Sequence, residues 1–333
     1  MLRIARLVAM VLPFVLAACQ STFAREAPTW SIVIHGGAGV LSKNTPPEKV
    51  KEYEDALIVA LNHGRERLAA GASALDVCEA VVRILEDDPH FNAGKGAVYN
   101  EKGEHELDAS IMDGSTLRCG AVTGVRTVRN PVTLARRVME KTRHILLMGD
   151  GAERFADVQG VERVENSWFD TEHRRRALDE VLRERGRTGS VEPTTPAQTY
   201  GTVGCVVRDS QGHLAAATST GGMTAKRWGR IGDTPLIGAG NYADDTVAVS
   251  GTGTGEQFIR HVVGNTVSAR MRFGGQTLEE AARAVVFETL KPDDGGIIAV
   301  DKHGNMVALF NSEGMYRGMA DSTGHIVVRV FGD

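Results

Sequence analysis

Apolar positions along the chain change their period several times, and each change marks an element. Trp30-Ser31-Ile32-Val33-Ile34 is a short apolar run closed by His35-Gly36-Gly37-Ala38-Gly39, which predicts a strand feeding a glycine loop. From Glu48 to Ala70 the apolar residues Tyr53, Leu57, Val59, Ala60, Leu61 and Leu68 recur at helical spacing, and Gly71 stops the run. Ser73 is placed to N-cap a second helix over Ala74–Leu85. Pro89 to Gly96 reads as a loop, with short strand-like pieces following at Ala97-Val98, Asp108–Met112 and Gly120–Val122. Pro131 opens a further helix to about Thr142, where proline costs least. Ile145–Met148 is a strand, and two charged helical pieces run to about Arg185.

Between Gly186 and Gln198 periodicity vanishes, and Arg, Thr, Pro and Gly dominate. This is the best linker in the chain. Beyond it the pattern turns to β, with strands over Thr202–Val207, His213–Thr218 and Val247–Ser250. Gly251–Gly255 opens one long predicted helix from Glu256 to about Arg272, and Thr277-Leu278-Glu279-Glu280 is a capping box for the next, to about Leu290. Ile297–Val300 and Met306–Phe310 form a hairpin, and Ile326–Phe331 is a last strand. Hairpins mixed with helix pairs predict antiparallel-rich sheets flanked by helices.

The N-terminus stands apart. Arg3 and Arg6 precede an apolar stretch over Leu7–Ala18, a secretory signal too short to span a bilayer comfortably. Leu16-Ala17-Ala18-Cys19 reads as a lipobox that would leave lipidated Cys19 as the mature terminus, and Thr22-Phe23-Ala24 is a rival, simple cleavage site. Residues 1–24 are therefore set outside the fold. The protein is expected on the periplasmic side of a bacterium, anchored at Cys19. Composition adds exclusions. With 42% hydrophobic and 24% charged residues the chain is ordinary for a globular protein, and a net charge of −4 gives no reason to bind nucleic acid. Cys78, Cys119 and Cys205 are odd in number and lack CxxC or Cys/His spacing, which supports neither a disulfide framework nor a zinc site. Both Cys78 and Cys205 are expected as buried, inert thiols.

Several familiar signatures fail. The His35–Gly39 loop has no GxSxG elbow to serve, and His105-Glu106 lacks the second histidine of HExxH. No serine or threonine follows Lys95 in Gly94-Lys95-Gly96, and Gly251–Gly255 does not match GxGxxG. What survives surrounds Gly201-Thr202, at the end of the linker. Cut there, the chain would give Thr202 a free α-amine beside its hydroxyl, nucleophile and base in one residue. Downstream, Arg230 and Asp233 stand three apart on a glycine-flanked loop, a spacing able to grip the carboxylate and the ammonium of an α-amino acid.

Gly201-Thr202-Val203-Gly204, Thr218-Ser219-Thr220-Gly221-Gly222-Met223-Thr224, Gly229-Arg230-Ile231-Gly232-Asp233 and Gly251-Thr252-Gly253-Thr254-Gly255-Glu256 together resemble the signature blocks of the plant-type asparaginases. That group comprises isoaspartyl (β-aspartyl) peptidases and is related to the glycosylasparaginases. His35–Gly39, Asn92-Ala93-Gly94, Asp294-Gly295-Gly296 and Gly314–Gly318 agree, so the resemblance covers nearly all of the chain from Trp30 onward. It implies an α+β fold, the four-layer αββα sandwich of N-terminal-nucleophile hydrolases. It also implies self-cleavage between Gly201 and Thr202, dividing one hydrolase domain into 25–201 and 202–333.

By the same resemblance Thr202 is the nucleophile, Thr220 tunes its amine and hydroxyl, and Asn92 orients the nucleophile's side. Thr252 and the Gly253 N–H form the oxyanion hole. Arg230 and Asp233 hold substrate, with backbone groups of Gly253 and Gly255 lining the site. Carbonyls of Leu85, Glu86, Asp88, Phe91, Ala93 and Lys95 wrap a sodium ion, no cofactor serves the chemistry, and αβ units pair as (αβ)2. The chain departs from the family at Ala225, where many relatives have asparagine, and at Lys95, which replaces an apolar residue. Tyr242-Ala243-Asp244-Asp245 reads like the glycosylasparaginases, whereas Gly221-Gly222-Met223-Thr224 reads like the isoaspartyl peptidases. The expected activity is hydrolysis of isoaspartyl dipeptides and L-asparagine to release aspartate. Action on asparagine-linked sugars, and an exported lipoprotein that only binds an amino acid, stay open as alternatives.

Overall fold

The computed structural model describes residues 28–39, 42–188 and 201–332; the signal segment and most of the predicted linker lie outside them. In chain order the strands and helices begin with β1 (Ser31–Ala38), α1 (Pro47–Ala69), α2 (Ala74–Asp87), β2 (Leu107–Asp113) and β3 (Cys119–Val125). Then come α3 (Pro131–Lys141), β4 (Leu146–Met148), α4 (Gly149–Gln159) and α5 (Glu172–Thr188). After the linker follow β5 (Val203–Arg208), β6 (Leu214–Thr220), β7 (Asn241–Ala243), β8 (Val247–Gly253), α6 (Gly255–Arg260), α7 (Val263–Gly274) and α8 (Leu278–Arg283). The C-terminal strands are β9 (Gly295–Asp301), β10 (Met306–Phe310), β11 (Gly314–Asp321) and β12 (Ile326–Phe331).

The strands make two sheets. The larger has the order β12-β11-β1-β5-β6-β2-β3-β4, the smaller β10-β9-β8-β7. Every strand pairing is antiparallel except β3 with β4. Between the sheets lies an apolar layer that includes Val33, Val206, Ala216, Ala248, Ile298 and Met315. The outer face of the large sheet packs on the apolar stripes of α1, α2 and α3, through Leu57, Leu61, Val77, Val81 and Leu134. The outer face of the small sheet packs on α6, α7 and α8, through Phe258, Val263, Val267, Leu278 and Ala282. Helix, sheet, sheet, helix is the expected αββα sandwich. Strands buried on both faces explain why β1, β6 and β9 read as nearly continuous apolar or small-residue runs rather than alternating ones.

Local signals held where local chemistry governs. Ser73 Oγ accepts from the Asp76 N–H at 3.2 Å, and Thr277 and Glu280 form the reciprocal capping box. Two expectations need correction. The helix expected unbroken from Glu256 to Arg272 is two helices, parted at Val262, which adopts φ +47. The first-turn N–H groups of α7 at Gly264 and Asn265 donate instead to the carbonyls of Ala239 and Gly238, a tertiary demand that no nearby residue announces. Ala97-Val98 is irregular rather than strand, and the chain pairs only at Asn100, in an isolated bridge to Lys226. The thiols of Cys78 and Cys205 are buried and unpaired as expected, with Cys78 Sγ donating to the carbonyls of Cys205 and Ala215.

Candidate active site

β5 and β6 are neighbours, so the residue entering β5 faces the end of β6. Thr202 Oγ1 donates to Thr220 Oγ1 at 3.2 Å. Thr220 Oγ1 in turn donates to the Gly201 carbonyl at 3.0 Å and accepts from the Gly222 N–H at 3.0 Å. One hydrogen given and two received is the full capacity of a hydroxyl. Asn92 completes the group: its Nδ2 donates to the carbonyls of Gly201 at 2.9 Å and Gly222 at 2.7 Å, while its Oδ1 accepts from the Val98 N–H. The Gly201 carbonyl thus receives two donors beside the Thr202 hydroxyl, and Asn92, Thr202 and Thr220 are all buried.

On the other side of Thr202 stands a residue to which sequence reading assigned no role. His35 Nδ1 donates to the Thr202 carbonyl at 2.8 Å, and its Nε2 meets Ser250 Oγ at 2.8 Å. Burial pulls the His35 pKa down to about 3, against the raising effect of the bond to Thr202, so the ring is neutral. Ser250 lies on β8, and Thr252, two residues on, shares its face of the small sheet. Thr252 Oγ1 accepts from the Ala38 N–H at 3.2 Å, which ties it to the end of β1; the strand runs on through His35-Gly36-Gly37-Ala38, which the sequence predicted as a loop, because those residues pair with β11. At Gly253 only glycine fits: φ is +150, and a Cβ would stand 1.9 Å from the Asp294 carbonyl oxygen.

Arg230 and Asp233 form a second group. Asp233 is buried, and its Oδ2 has no hydrogen-bond partner. Desolvation pushes its pKa up to about 7, with Arg230 pulling the other way. The carboxylate occupies a cradle of glycines: a Cβ on Gly240 would lie 2.5 Å from Oδ2, and one on Gly255 would lie 2.9 Å from Oδ1 and 2.8 Å from Arg230 Nη2. Arg230 does not pair with Asp233. It forms a two-pronged ion pair with Glu256, Nε to Oε1 and Nη2 to Oε2 at 2.8 Å each. Glu256 is a site neighbour that sequence reading missed, 26 residues away with no motif to link them. A cleft of about 110 Å³ opens beside Arg230, lined also by Met223, Lys226, Trp228 and Glu256. Ala225 holds φ +56, left-handed backbone that asparagine enters more easily than alanine.

The loop after α2 presents main-chain oxygens. Pro89 has no N–H for the Leu85 carbonyl, and the His90 N–H goes to Asp88 Oδ1 rather than to Glu86. Gly94 and Gly96 let the loop close tightly, since Cβ atoms there would lie 2.2 Å from the Glu86 carbonyl oxygen and 2.1 Å from that of Phe91. Within this loop the carbonyls of Asp88, Phe91 and Ala93 accept from the N–H groups of Phe91, Ala93 and Gly96. The Lys95 ammonium turns away from them, donating to the carbonyls of Trp168 and Asp170 and lying 5.0 Å over the Trp168 ring. Among the described residues no His, Cys, Asp and Glu cluster could hold a metal ion.

An asparaginase family model matches residues 28–329. The chain belongs to the plant-type L-asparaginase family. An isoaspartyl peptidase of Salmonella typhimurium is 50% identical over 292 residues, covering 86% of this chain and 93% of the relative. An isoaspartyl peptidase/L-asparaginase of Mus musculus is 42% identical over 287 residues, covering 85% and 86%. A plant-type L-asparaginase of Pyrococcus furiosus is 39% identical over 296 residues, covering 86% and 94%. For this family member, the blocks that carry the resemblance fall into the two groups described above, one around Thr202 and one around Asp233.

Proposed function

We propose that the protein is a self-processing threonine hydrolase that cleaves isoaspartyl peptides and L-asparagine to release aspartate. The observation that carries this reading is the Thr202–Thr220 hydroxyl pair set beside a Gly201 carbonyl held by two donors. In the precursor, Thr202 Oγ attacks the Gly201 carbonyl carbon and the Gly201–Thr202 C–N bond breaks. This leaves an ester on Oγ and a free Thr202 amine, and water then hydrolyses the ester. The hydrolase domain is divided into 25–201 and 202–333.

In the mature enzyme Thr202 Oγ attacks the side-chain carbonyl of the substrate. Its own amine takes the hydroxyl proton and passes it to the departing nitrogen. The oxyanion rests on Thr252 and the Gly253 N–H, and water releases aspartate from the acyl-enzyme. Substrate binds by its α-amino acid end. Arg230 leaves Glu256 to fork onto the α-carboxylate, and the ammonium ionises Asp233, with Gly253 and Gly255 leaving room for both. The names of the relatives above favour the isoaspartyl peptidase and asparaginase substrates.

Three further features belong to the proposal. The carbonyls of Leu85, Glu86, Asp88, Phe91, Ala93 and Lys95 hold a structural sodium ion that stiffens the loop carrying Asn92. The αβ units pair as (αβ)2. The Arg3–Cys19 segment exports the protein to the periplasmic side and anchors it by lipidation at Cys19. Mass spectrometry of the purified protein tests processing and lipidation together, through a fragment starting at Thr202 and an acylated Cys19. Parallel assays on an isoaspartyl dipeptide, asparagine and an asparagine-linked sugar test the substrate. Turnover of the sugar conjugate alone would move the enzyme to the glycosylasparaginases, and binding without turnover by an uncut chain would refute it as a hydrolase.

A further inference from the structure

Thr202 is held through its carbonyl as well as its hydroxyl, and behind the carbonyl runs a file of buried polar groups that the proposed chemistry does not use. His35 Nδ1 lies 2.8 Å from the Thr202 carbonyl oxygen, and His35 Nε2 lies 2.8 Å from Ser250 Oγ. Ser250 Oγ lies 2.8 Å from Thr218 Oγ1, which lies 3.2 Å from the side-chain amide of Asn241. These four residues come from β1, β8, β6 and β7, strands of both sheets, and each is 0% exposed. The sequence leaves space for the file: a Cβ on Gly204 would stand 2.1 Å from Ser250 Oγ and 2.3 Å from His35 Nε2.

Counting hydrogens fixes its direction. A carbonyl oxygen only accepts, so the imidazole hydrogen is on Nδ1. Nε2 then offers a lone pair, and Ser250 must give it the hydroxyl hydrogen. Ser250, left with lone pairs alone, accepts from Thr218 at 2.8 Å, nearer than the Gly240 carbonyl, the other acceptor for that hydrogen at 3.3 Å. The Thr218 oxygen now needs a donor of its own. Asn241 Nδ2 is buried and has no partner in the amide orientation that turns Oδ1 toward Thr218. A half-turn of that amide sets Nδ2 against Thr218 Oγ1 and leaves an acceptor rather than a donor unpaired, the cheaper of the two. Every hydrogen then points one way, from Asn241 to Thr202.

Self-cleavage makes this file matter. Before the cut, the Gly201 carbonyl anchors the nucleophile's upstream side through its bonds from Asn92 and Thr220. After the cut that carbonyl no longer belongs to the same chain as Thr202, which becomes a terminal residue, the kind of position that frays. The His35 bond lies on the downstream side and survives.

We propose that His35 is a positioning residue for Thr202, fixed in its Nδ1–H tautomer by the one-way chain from Asn241 through Thr218 and Ser250, and that its bond to the Thr202 carbonyl holds the new N-terminus in attacking position. This rests on the reading of Thr202 as the terminal nucleophile. A rotation about the Thr202 main chain would carry amine and hydroxyl off line together, and misplacement by about 1 Å costs on the order of a hundredfold in rate.

The first test reads the tautomer without substrate. Nitrogen NMR of the mature protein labelled at its histidines, with the His35 signals assigned by difference against His35→Gln, is expected to show a protonated Nδ1 and an unprotonated Nε2 at neutral pH. A protonated Nε2, in either the other tautomer or the imidazolium, overturns the proposal, even if Ser250→Ala does not fold. The second test is kinetic. Ser250→Ala is expected to lower kcat on asparagine roughly tenfold to a hundredfold with KM held within about twofold. Thr218→Val, one bond further away, loses less, and Thr218→Ser recovers wild-type kcat. A Ser250→Ala enzyme with unchanged kcat, or one whose loss lies in KM, overturns the proposal. A wild-type protein with no hydrolytic activity would instead sink the reading of Thr202, and the substrate-free tautomer measurement tells the two failures apart.

Discussion

Asn92 reaches across 109 residues to place its Nδ2 2.9 Å from the carbonyl oxygen of Gly201. Thr220 donates to the same oxygen, so the carbonyl is polarised toward the oxyanion that attack by Thr202 would create. Asn92→Ala is expected to slow self-cleavage by on the order of 10²-fold, the typical loss for one oxyanion donor. A time course on denaturing gels measures it, and cleavage at the wild-type rate would refute the role.

Thr220 serves three bonds with one oxygen. Thr220→Val keeps the shape and removes all three, stranding the buried Gly222 N–H. It is expected to lose about 1–3 kcal/mol of stability and most of its activity, whereas Thr220→Ser keeps both. Thermal melts and asparagine turnover on the pair of variants distinguish loss of the hydroxyl from loss of the methyl group.

In the proposed binding mode Glu256 competes with substrate for Arg230. The pair is two-pronged, and with Glu256 half-exposed its worth is at most about 1 kcal/mol after solvent screening. Glu256→Gln should therefore lower KM for asparagine by up to about fivefold. Arg230→Lys, which cannot fork onto a carboxylate, should raise KM well beyond that. An unchanged KM in Glu256→Gln would show that the ion pair is not a barrier to binding.

As the proposed ammonium partner, Asp233 would give substrate binding a pH dependence whose sign is fixed. Burial raises its pKa to about 7, against the lowering effects of a backbone hydrogen bond and of Arg230. Below that pH the carboxyl is neutral and must release a proton before it can hold an ammonium group. KM for asparagine is expected to fall as pH rises from about 5.5 to 7, by no more than tenfold per pH unit, and then to level off. The sign for stability is opposite. Because the folded pKa lies above the unfolded one, the folded state alone holds the proton between them, and this group's contribution to stability falls as pH rises from about 4 to 7. A KM flat with pH in the wild type would rule out ionised Asp233 as the ammonium partner.

The carbonyl loop should respond to the cation present. With choline replacing sodium at constant ionic strength, the melting temperature is expected to fall, since a ligand bound only to the folded state stabilises it by mass action. A melting temperature indifferent to sodium would remove the ion from the loop.

The two sheets and their helix layers were legible because apolar periodicity and caps such as Ser73 and Thr277 are local signals. The site was legible as short blocks, since Thr202, Thr220, Arg230 and Asp233 each sit in a distinctive glycine or hydroxyl setting. Pairings between blocks were not. Glu256 on Arg230, and His35 between Thr202 and Ser250, are set by tertiary packing across 26 to 215 residues, and nothing near either residue encodes it. The break at Val262 failed for the same reason, because its cause is the carbonyls of Gly238 and Ala239 rather than a glycine or proline in the helix.

The strand order of the large sheet makes the proposed cut unlike an ordinary proteolytic nick. β1, from before Gly201, lies between β11 and β5, both from after it, and β6 lies between β5 and β2. Among the described residues, those ahead of the cut own no strand of the small sheet, and those behind it lack β1, β2, β3 and β4 of the large one. The halves are interlaced like the fingers of two hands. Expressed from separate genes they would have to fold around each other, and once cut from a single folded chain they have no way to part short of unzipping the sheet that seats Thr202.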